Sequence, residues 1–307
     1  ALLFISHRFD EVFALCDTVT VMRDGSYVST TPIADTDVAS IVRMMVGRDV
    51  TELFPKVAAE IGRPLLEVTG LTQPGVFQDI SFQVHSGEIV ALAGLVGAGR
   101  SEVARAIFGV DPYQTGTVTI DGKALPAGKP SASMKQGLAL VPEDRRKQGL
   151  VIDATVASNI TDAIRGTLTR GGLITTGAEN AAARVWARQL EVKTASLDAV
   201  VGTLSGGNQQ KVVLAKWLAA NPKVLIIDEP TRGIDVGTKS EVHRRMSELA
   251  GMGLAILMIS SELPEVLGMA DRVLVMREGH LTAAIDRASA TAENVMFAAT
   301  HSGEEVQ

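Results

Sequence analysis

The chain has one cysteine, Cys16, so an internal disulfide is impossible and a reducing, cytoplasmic compartment fits best. Basic charge is also short: 29 Lys and Arg stand against 35 Asp and Glu, a formal net charge of -6. This gives no basic footprint and argues against nucleic acid as a partner. Apolar runs such as residues 89–96 and 254–259 stop far short of the roughly 18 to 20 residues that cross a bilayer, so membrane contact has to come through a partner. The N-terminal ALLFISHRFD lacks both the charged region and the cleavage site of a signal peptide. It also lacks an initiator Met and opens in an apolar, strand-like run, so the sequence is expected to be a piece of a longer protein. His85, His243, His280 and His301 show no metal-ligand spacing and read as solvated or core residues. Aromatics are scarce at 4%, yet 46% hydrophobic content over 307 residues is enough to bury one large core or two smaller ones.

The chain does contain an internal repeat. The run from Ile5 to Val12 (ISHRFDEV) lies over the run from Ile259 to Val266 (ISSELPEV), an offset of 261 - 7 = 254. At the same offset, the run from Cys16 to Gly25 lies over the run from Ala270 to Gly279, sharing apolar positions, an Asp and a closing Arg-x-Gly. The chain is therefore expected to begin with the tail of one unit, residues 1–33, and to contain a second unit over 64–288. Val38, Ile41, Val42, Met45 and Val46 at helical spacing make 34–63 a linker helix and connector, and 289–307 reads as a short helix followed by disorder. Within the second unit, strands are expected at 65–68, 80–84, 89–93, 223–227 and 255–259, with helices at 101–108, 181–190, 208–220 and 238–249. Buried apolar strands alternating with helices predict an α/β fold with a largely parallel sheet.

Three segments carry chemistry. The strand at 89–93 runs into Gly94-Leu95-Val96-Gly97-Ala98-Gly99-Arg100-Ser101, a phosphate-loop pattern with Arg where Lys is usual. Its glycines let the backbone approach an anion, which successive amides and the following helix N-terminus then hold, and Ser101 is placed to reach Mg²⁺. The strand at 223–227 delivers Asp228 and Glu229 to its C-terminal end, where an open α/β sheet binds ligands. Asp228 would hold the Mg²⁺ shell and Glu229 would polarise the attacking water, although an acidic pair can also simply cap a helix. The third segment, Leu204-Ser205-Gly206-Gly207-Asn208-Gln209-Gln210-Lys211, opens a helix with free amides at its positive end, a second anion site in the same unit.

The order of phosphate loop, Ser-Gly-Gly helix start and carboxylate strand resembles the ABC ATPase family. That resemblance implies a P-loop cassette with a mostly parallel sheet, an antiparallel β subdomain and a helical subdomain at about 152–203, preceded by the tail of a first cassette. It implies ATP held by residues 94–101 with Glu102, and by Ser205, Gly206, Gly207 and Gln209 acting across a head-to-tail cassette pair. Glu143 in Val141-Pro142-Glu143-Asp144-Arg145-Arg146 falls at or near the Q-loop glutamine, Gly233-Ile234-Asp235 looks like the D-loop, and His7 looks like the switch histidine, with Ser261 as its counterpart. Phe77 is placed either to stack on adenine or to fill the core. More narrowly, these motifs, together with Met44-Met45-Val46-Gly47-Arg48 and Phe54-Pro55, resemble the second cassette of fused ribose, galactose and xylose-type import ATPases. The implied partners are permease subunits and, indirectly, a periplasmic solute-binding protein, with the chain at the cytoplasmic face of the bacterial membrane.

Arg100 is a planar fork rather than a compact ammonium, so slow hydrolysis is expected at its site. The working site is then expected to pair the missing upstream loop and His7 with Ser205, Gly206 and Gly207, although Glu229 keeps activity at the Arg100 site possible. A nucleoside or other small-solute importer, or a non-hydrolysing regulatory cassette, remains open. A soluble DNA-repair or translation ATPase would carry coiled-coil or basic insertions that are missing here, and a small-molecule kinase has no use for the Ser205 helix.

Overall fold

The computed structural model describes residues 2–5, 9–23, 26–37, 40, 41, 44, 54–169 and 171–301. At the N-terminal end a short helix, α1 (Phe9–Leu15), precedes an antiparallel pair, β1 (Thr18–Arg23) and β2 (Ser26–Pro32). Alternating burial along β3 (Pro64–Gln73) and β4 (Phe77–His85) gives each strand one core-facing and one outward face. The next strand, β5 (Ile89–Gly94), is apolar throughout and leads into α2 (Arg100–Phe108). The antiparallel layer is completed by β6 (Thr115–Ile120) and β7 (Lys123–Ala124), in the order β4-β3-β6-β7.

Helix α3 (Pro130–Lys135) then leads to β8 (Leu138–Val141). The helical part comprises α4 (Val156–Thr161), α5 (Arg165–Leu168) and α6 (Thr176–Gln189), which sit with α7 (Gly206–Ala219). The chain ends with β9 (Val224–Asp228), α8 (Val236–Gly251), β10 (Ala255–Ile259), α9 (Leu263–Met269), β11 (Arg272–Arg277), β12 (His280–Asp286) and α10 (Ala292–Thr300).

Strands buried on both faces need unbroken apolar runs, and β5, β8, β9 and β10 supply them as IVALA, LALV, VLII and AILMI. They lie in a six-stranded sheet of order β12-β11-β5-β10-β9-β8, parallel except for β12. The expected α/β architecture is thus observed, with the antiparallel layer and the helical part as separate pieces. Expected elements grew mainly at their ends. Helix α6 starts at Thr176 because Thr175 accepts a hydrogen bond from the Ala178 amide, and α7 starts at Gly206 because Ser205 caps it. Residues 302–307, part of the expected disordered tail, lie outside the described residues.

The repeat extends to hydrogen bonds. The β1–β2 register slips between Val21 and Met22, and the β11–β12 register slips between Val275 and Met276, 275 - 21 = 254 residues on. The Ile33 amide bonds to the Asp17 carbonyl as the Arg287 amide bonds to that of Asp271. Asp37 accepts from the Ser40 amide, and Thr291 accepts from the Asn294 amide at 294 - 40 = 254. The bonding at Asp37, Ser40 and Ile41 therefore repeats that at Thr291, Asn294 and Val295, so the likeness at this offset runs past residue 33. Most of the expected linker helix lies outside the described residues. Within the expected connector, Phe54 rests on His243 with ring centroids 5.1 Å apart and occupies the space a Cβ on Gly268 would need. Lys56 then pairs with Asp271 at 2.7 Å, and the Val57 amide donates to the Ser247 hydroxyl at 2.8 Å.

Ile226 of β9 is fully buried between Leu140 of β8 and Leu257 of β10, in the interior of the sheet. Ile226→Ala is expected to lower unfolding stability by about 2–5 kcal/mol, read as a lower urea midpoint at unchanged slope. A loss below about 1 kcal/mol would mean that the sheet interior collapses around the gap.

Candidate functional site

Strand β10 lies between β5 and β9, with Ile259 beside both Leu92 and Asp228. The C-terminal ends of three strands thus deliver the loop at 94–99, the pair Ser260-Ser261, and Asp228-Glu229 to one edge of the sheet. Glycine is required where the loop leaves β5: Gly94 has φ 151°, and a Cβ there would run into the Met276 carbonyl. Gly99 (φ 95°) caps α2 without a side chain, so the first-turn amides keep no side-chain partner. Leu95, Val96 and Gly97 form the exposed crest of the loop, while Ala98 and Gly99 are buried under it.

Asp228 is 4% exposed, and its Oδ1 has no hydrogen-bond partner among the described residues. Burial pushes its carboxyl above the ordinary carboxylate range, offset in part by the Ser101 hydroxyl and the Arg100 charge. An orphaned buried oxygen next to a hydroxyl is a donor set that suits Mg²⁺, which takes one or two protein oxygens and completes its shell with phosphate and water. No cluster of three or more His, Cys, Asp or Glu that could hold a metal occurs among the described residues.

Glu229 sits in the left-handed region at φ 49°, an uncommon conformation for a residue with a side chain. Burial raises its carboxyl too, and the Ser261 hydroxyl donates to Oε2 at 3.1 Å. Arg100 is 8% exposed and turned inward. Its Nη1 donates to the Ser260 carbonyl at 2.6 Å, and its Nη2 lies 3.9 Å from Glu229 Oε1. Arg100, expected to meet phosphate, is here engaged by the Ser260 carbonyl and lies near Glu229. Glu102, on the first turn of α2, pairs with Arg105 at 3.0 Å. Ser261, noted in the sequence only as the counterpart of His7, sits at the carboxylate. His7 itself lies outside the described residues.

The second helix start is built differently. The Ser205 hydroxyl accepts from the Asn208 amide at 3.4 Å and from its side-chain amide at 3.0 Å, leaving Ser205 exposed and Gly206 and Gly207 without capping partners. Gln209, expected to bind nucleotide, is 3% exposed and donates to the carbonyls of Leu204 and Val201 at 3.1 and 3.4 Å. On the second residue after the glycine pair the side chain turns beneath the helix, and its amide braces the turn from inside. Phe77 is likewise a core residue at 3% exposed, and its neighbour Val76, at 40%, borders the open cleft beside Gly97.

Glu143 leaves the end of β8 and pairs with Arg232, and Asp144 accepts from the amides of Arg146 and Lys147. Arg145, quoted in the sequence only as part of its motif, reaches the carbonyls of Arg232 and Gly233. The sequence signal for this was available: a guanidinium four residues past an apolar strand has to find acceptors, and the turn at Gly233 leaves a carbonyl bare. Asp235 closes the loop by capping α8, accepting from the Thr238 amide at 3.0 Å and hydroxyl at 2.7 Å.

Burial would raise the Asp235 carboxyl, but the bonds from Thr238 outweigh it and hold it below the ordinary range. A carboxyl depressed in the folded state stabilises fully above its unfolded pKa, about 3.9, and that contribution is lost as pH falls through the folded value. Because Asp235 is exposed, Asp235→Ala is expected to cost only about 0.5–1 kcal/mol near pH 7. The gap to the parent should narrow as pH drops below about 4. Urea titrations at several pH values check this, and a gap that stays constant down to about pH 2.5 contradicts it.

Comparison with known proteins is consistent with this geometry. The family profile described as ABC transporter matches residues 77–232. The ribose import ATP-binding protein RbsA of Rhodococcus jostii (strain RHA1) is 58% identical over 98% of this chain and 60% of its own length. Ribose import ATP-binding protein RbsA 1 of Streptomyces coelicolor is 60% identical over 98% of this chain and 59% of its own. The chain therefore spans about 60% of the length of these relatives. Two solved structures share the fold: cbiO1 from Clostridium perfringens, part of an ABC transporter complex, at TM-score 0.63 and 23% identity over 76% of this chain and 93% of that one, and an ATP-binding cassette of an ABC transporter at TM-score 0.65 and 21% identity over 76% and 98%. With a glycine loop, a carboxylate strand end and a capped Ser-Gly-Gly helix set on this sheet, and the family profile covering 77–232, the chain belongs to the ABC transporter family.

Proposed function

We propose that the chain is the second cassette, preceded by the tail of the first, of a fused ATPase that drives import of a monosaccharide from the cytoplasmic face of the membrane. One observation carries the reading: a side-chain-free helix start at Arg100 and an exposed, Ser-capped start at Gly206 occur in one chain together with the strand end that holds Asp228 and Glu229. The names of the relatives, which concern ribose import, support the sugar. The repeat at offset 254, kept in register slip and capping, supports the fused pair. Residues 1–33 then belong to the first cassette, 34–63 form the linker, and the second cassette follows over 64–288 with its helical subdomain at about 152–203.

ATP is the substrate. Its phosphates meet the amides of Gly94 to Ser101 and, in a head-to-tail pair, the amides behind Ser205, Gly206 and Gly207 of the opposing cassette. Ser101 and Asp228 hold Mg²⁺, which when bound neutralises phosphate charge. Glu229, held left-handed and steadied by Ser261, orients the attacking water; its burial favours proton acceptance once water enters. Permease subunits dock the cassette, and a periplasmic binding protein supplies the solute. No helix among the described residues is long and apolar enough to cross a membrane, which agrees with peripheral attachment through those subunits.

The inward Arg100 favours a division of labour. Held by the Ser260 carbonyl and near Glu229, it makes the local site a holder of nucleotide rather than the faster hydrolase. The working site pairs His7 and the upstream loop with Ser205. In the full-length protein, Ser205→Arg is expected to lower ATP turnover by about 100-fold or more, the scale of losing aligned donors at a developing charge. Glu229→Gln should keep at least half of it. Loss of turnover with Glu229→Gln and retention with Ser205→Arg would reverse the assignment. Ribose-stimulated turnover with the co-purified permease tests the sugar, and stimulation by a nucleoside alone would replace it.

A further inference from the structure

The segment leaving β8 is fixed at both ends. Asp144 accepts from the amides of Arg146 and Lys147, each at 3.1 Å, and so sets the π-turn Arg145–Gly149. At the far end, Lys216 of α7 donates to the Gly149 carbonyl at 2.5 Å, and a Cβ on Gly149 would lie 3.1 Å from Val213 of the same helix. Burial lowers the Lys216 pKa, the cost of placing an ammonium under the turn, and Lys216 also lies 5.3 Å from the centre of the Trp217 ring. The turn therefore has little freedom to slide along α7.

Its first residue points into the junction of three segments. Arg145 Nη1 donates to the Arg232 carbonyl at 2.7 Å and Nη2 to the Gly233 carbonyl at 3.1 Å. Its Nε is buried and has no partner among the described residues, an unfavourable placement that the two fork bonds must outweigh. The same Nη2 occupies the space beside Gly206: a Cβ there would lie 2.7 Å from it and 3.2 Å from the Gly233 carbonyl. Glu143 closes the junction from the β8 side by pairing with Arg232. Thr238 plays the matching part at the next residue, filling the space a Cβ on Gly207 would need.

We propose that Arg145 is a positioning residue: its guanidinium fork binds the end of β8 to the loop at 232–233 and to the Ser205-Gly206-Gly207 turn, so that a displacement of the β8 exit moves both together. Resting on the reading that the Ser205 turn presents amides to a phosphate, this gives that turn an orientation set by the segment around Glu143 rather than by α7 alone. A fork is required. A lysine ammonium reaches one carbonyl at a time and lacks the flat face that fits against a bare Gly206, so charge alone does not substitute.

The test is hydrogen exchange by mass spectrometry on the full-length ATPase, comparing the parent with Arg145→Lys and Arg145→Ala. Peptides covering the Asn208 and Gln209 amides, which bond to Ser205, and the Arg232 amide, which bonds to Glu229, report the two segments. Both are expected to exchange roughly tenfold faster in either variant, the scale of losing a charge-assisted bond, while β5 and β9 stay protected. In the same variants, kcat for ATP should fall about tenfold with KM within about twofold, as for a group that orients without touching ligand. Full restoration by lysine, or loosening at 232 with the Ser205 turn unchanged, overturns the proposal. If the alanine variant loses protection across the sheet, the lysine variant carries the test. Exchange needs no nucleotide, permease or sugar, so a failure here is separate from a failure of the reading that the Ser205 turn meets phosphate, which Ser205→Arg probes without altering Arg145.

Discussion

Placing β10 between β5 and β9 is the constraint on which the site depends. In parallel register, Ile259 pairs with Leu92 on one side and Asp228 on the other, so three strands end together and their next residues share one edge. Nothing local to the glycine loop could bring Glu229 within reach of Arg100, since 129 residues separate them in sequence (229 - 100). The sheet does it by stacking Leu92, Ile259 and Asp228 in a row. Ser260 and Ser261, one residue beyond that row, are what the two flanking segments meet. Arg100 finds the Ser260 carbonyl and Glu229 finds the Ser261 hydroxyl.

Ser260 is itself held from below. Its hydroxyl donates to Glu265 at 2.5 Å and accepts from the Glu262 amide at 3.0 Å, and Glu265 meets His243 at 2.6 Å, with Ser260, Glu265 and His243 all at most 2% exposed. Burial would raise the Glu265 carboxyl, but bonds from His243, Ser260 and Thr231 outweigh it and keep it low. Removing one member of such a set strands a buried polar partner at a cost of several kcal/mol, so the carbonyl offered to Arg100 is rigid rather than adjustable. Phe54 on the other side of His243 anchors the connector to the same network. The inward pose of Arg100 is therefore supported by a chain of packed contacts and is not a surface accident.

The sheet was legible in sequence because double burial demands continuous apolar runs, and IVALA, VLII and AILMI have few other uses. The glycine loop and Asp228-Glu229 were legible because their spacing from a strand end fixes where they emerge. Side-chain direction was not. Gln209 follows the glycine pair and reads as a ligand, yet helical periodicity turns it under the cap toward Leu204. Phe77 stands at a plausible distance from the loop and lines the same cleft as Val76, yet it is only 3% exposed. Asp79, in the left-handed region, breaks the alternation of β4, so Phe77 is out of step with Ile80, Phe82 and Val84 and still packs into the core. In both cases motif position gave the neighbourhood, and the local backbone path decided the face.

The internal repeat at offset 254 shows the same division. Sequence likeness faded after Gly25 because hairpin and cap positions tolerate many residues: Asp37 and Thr291 differ in type but each accepts from an amide three residues on. What persists at offset 254 is backbone bonding, from the Val12 carbonyl accepting the Cys16 amide to the Asp37 carbonyl accepting the Ile41 amide. Ile41 and Val295, 295 - 41 = 254 residues apart, are both nearly inaccessible at 1% and 2%. Capping geometry and one buried aliphatic position outlast residue identity because each can be met by several side chains, whereas the hairpin slip at Val21 and Val275 is a property of the chain path itself. A repeat recognised by its bonds therefore reaches further along this sequence than one recognised by its letters.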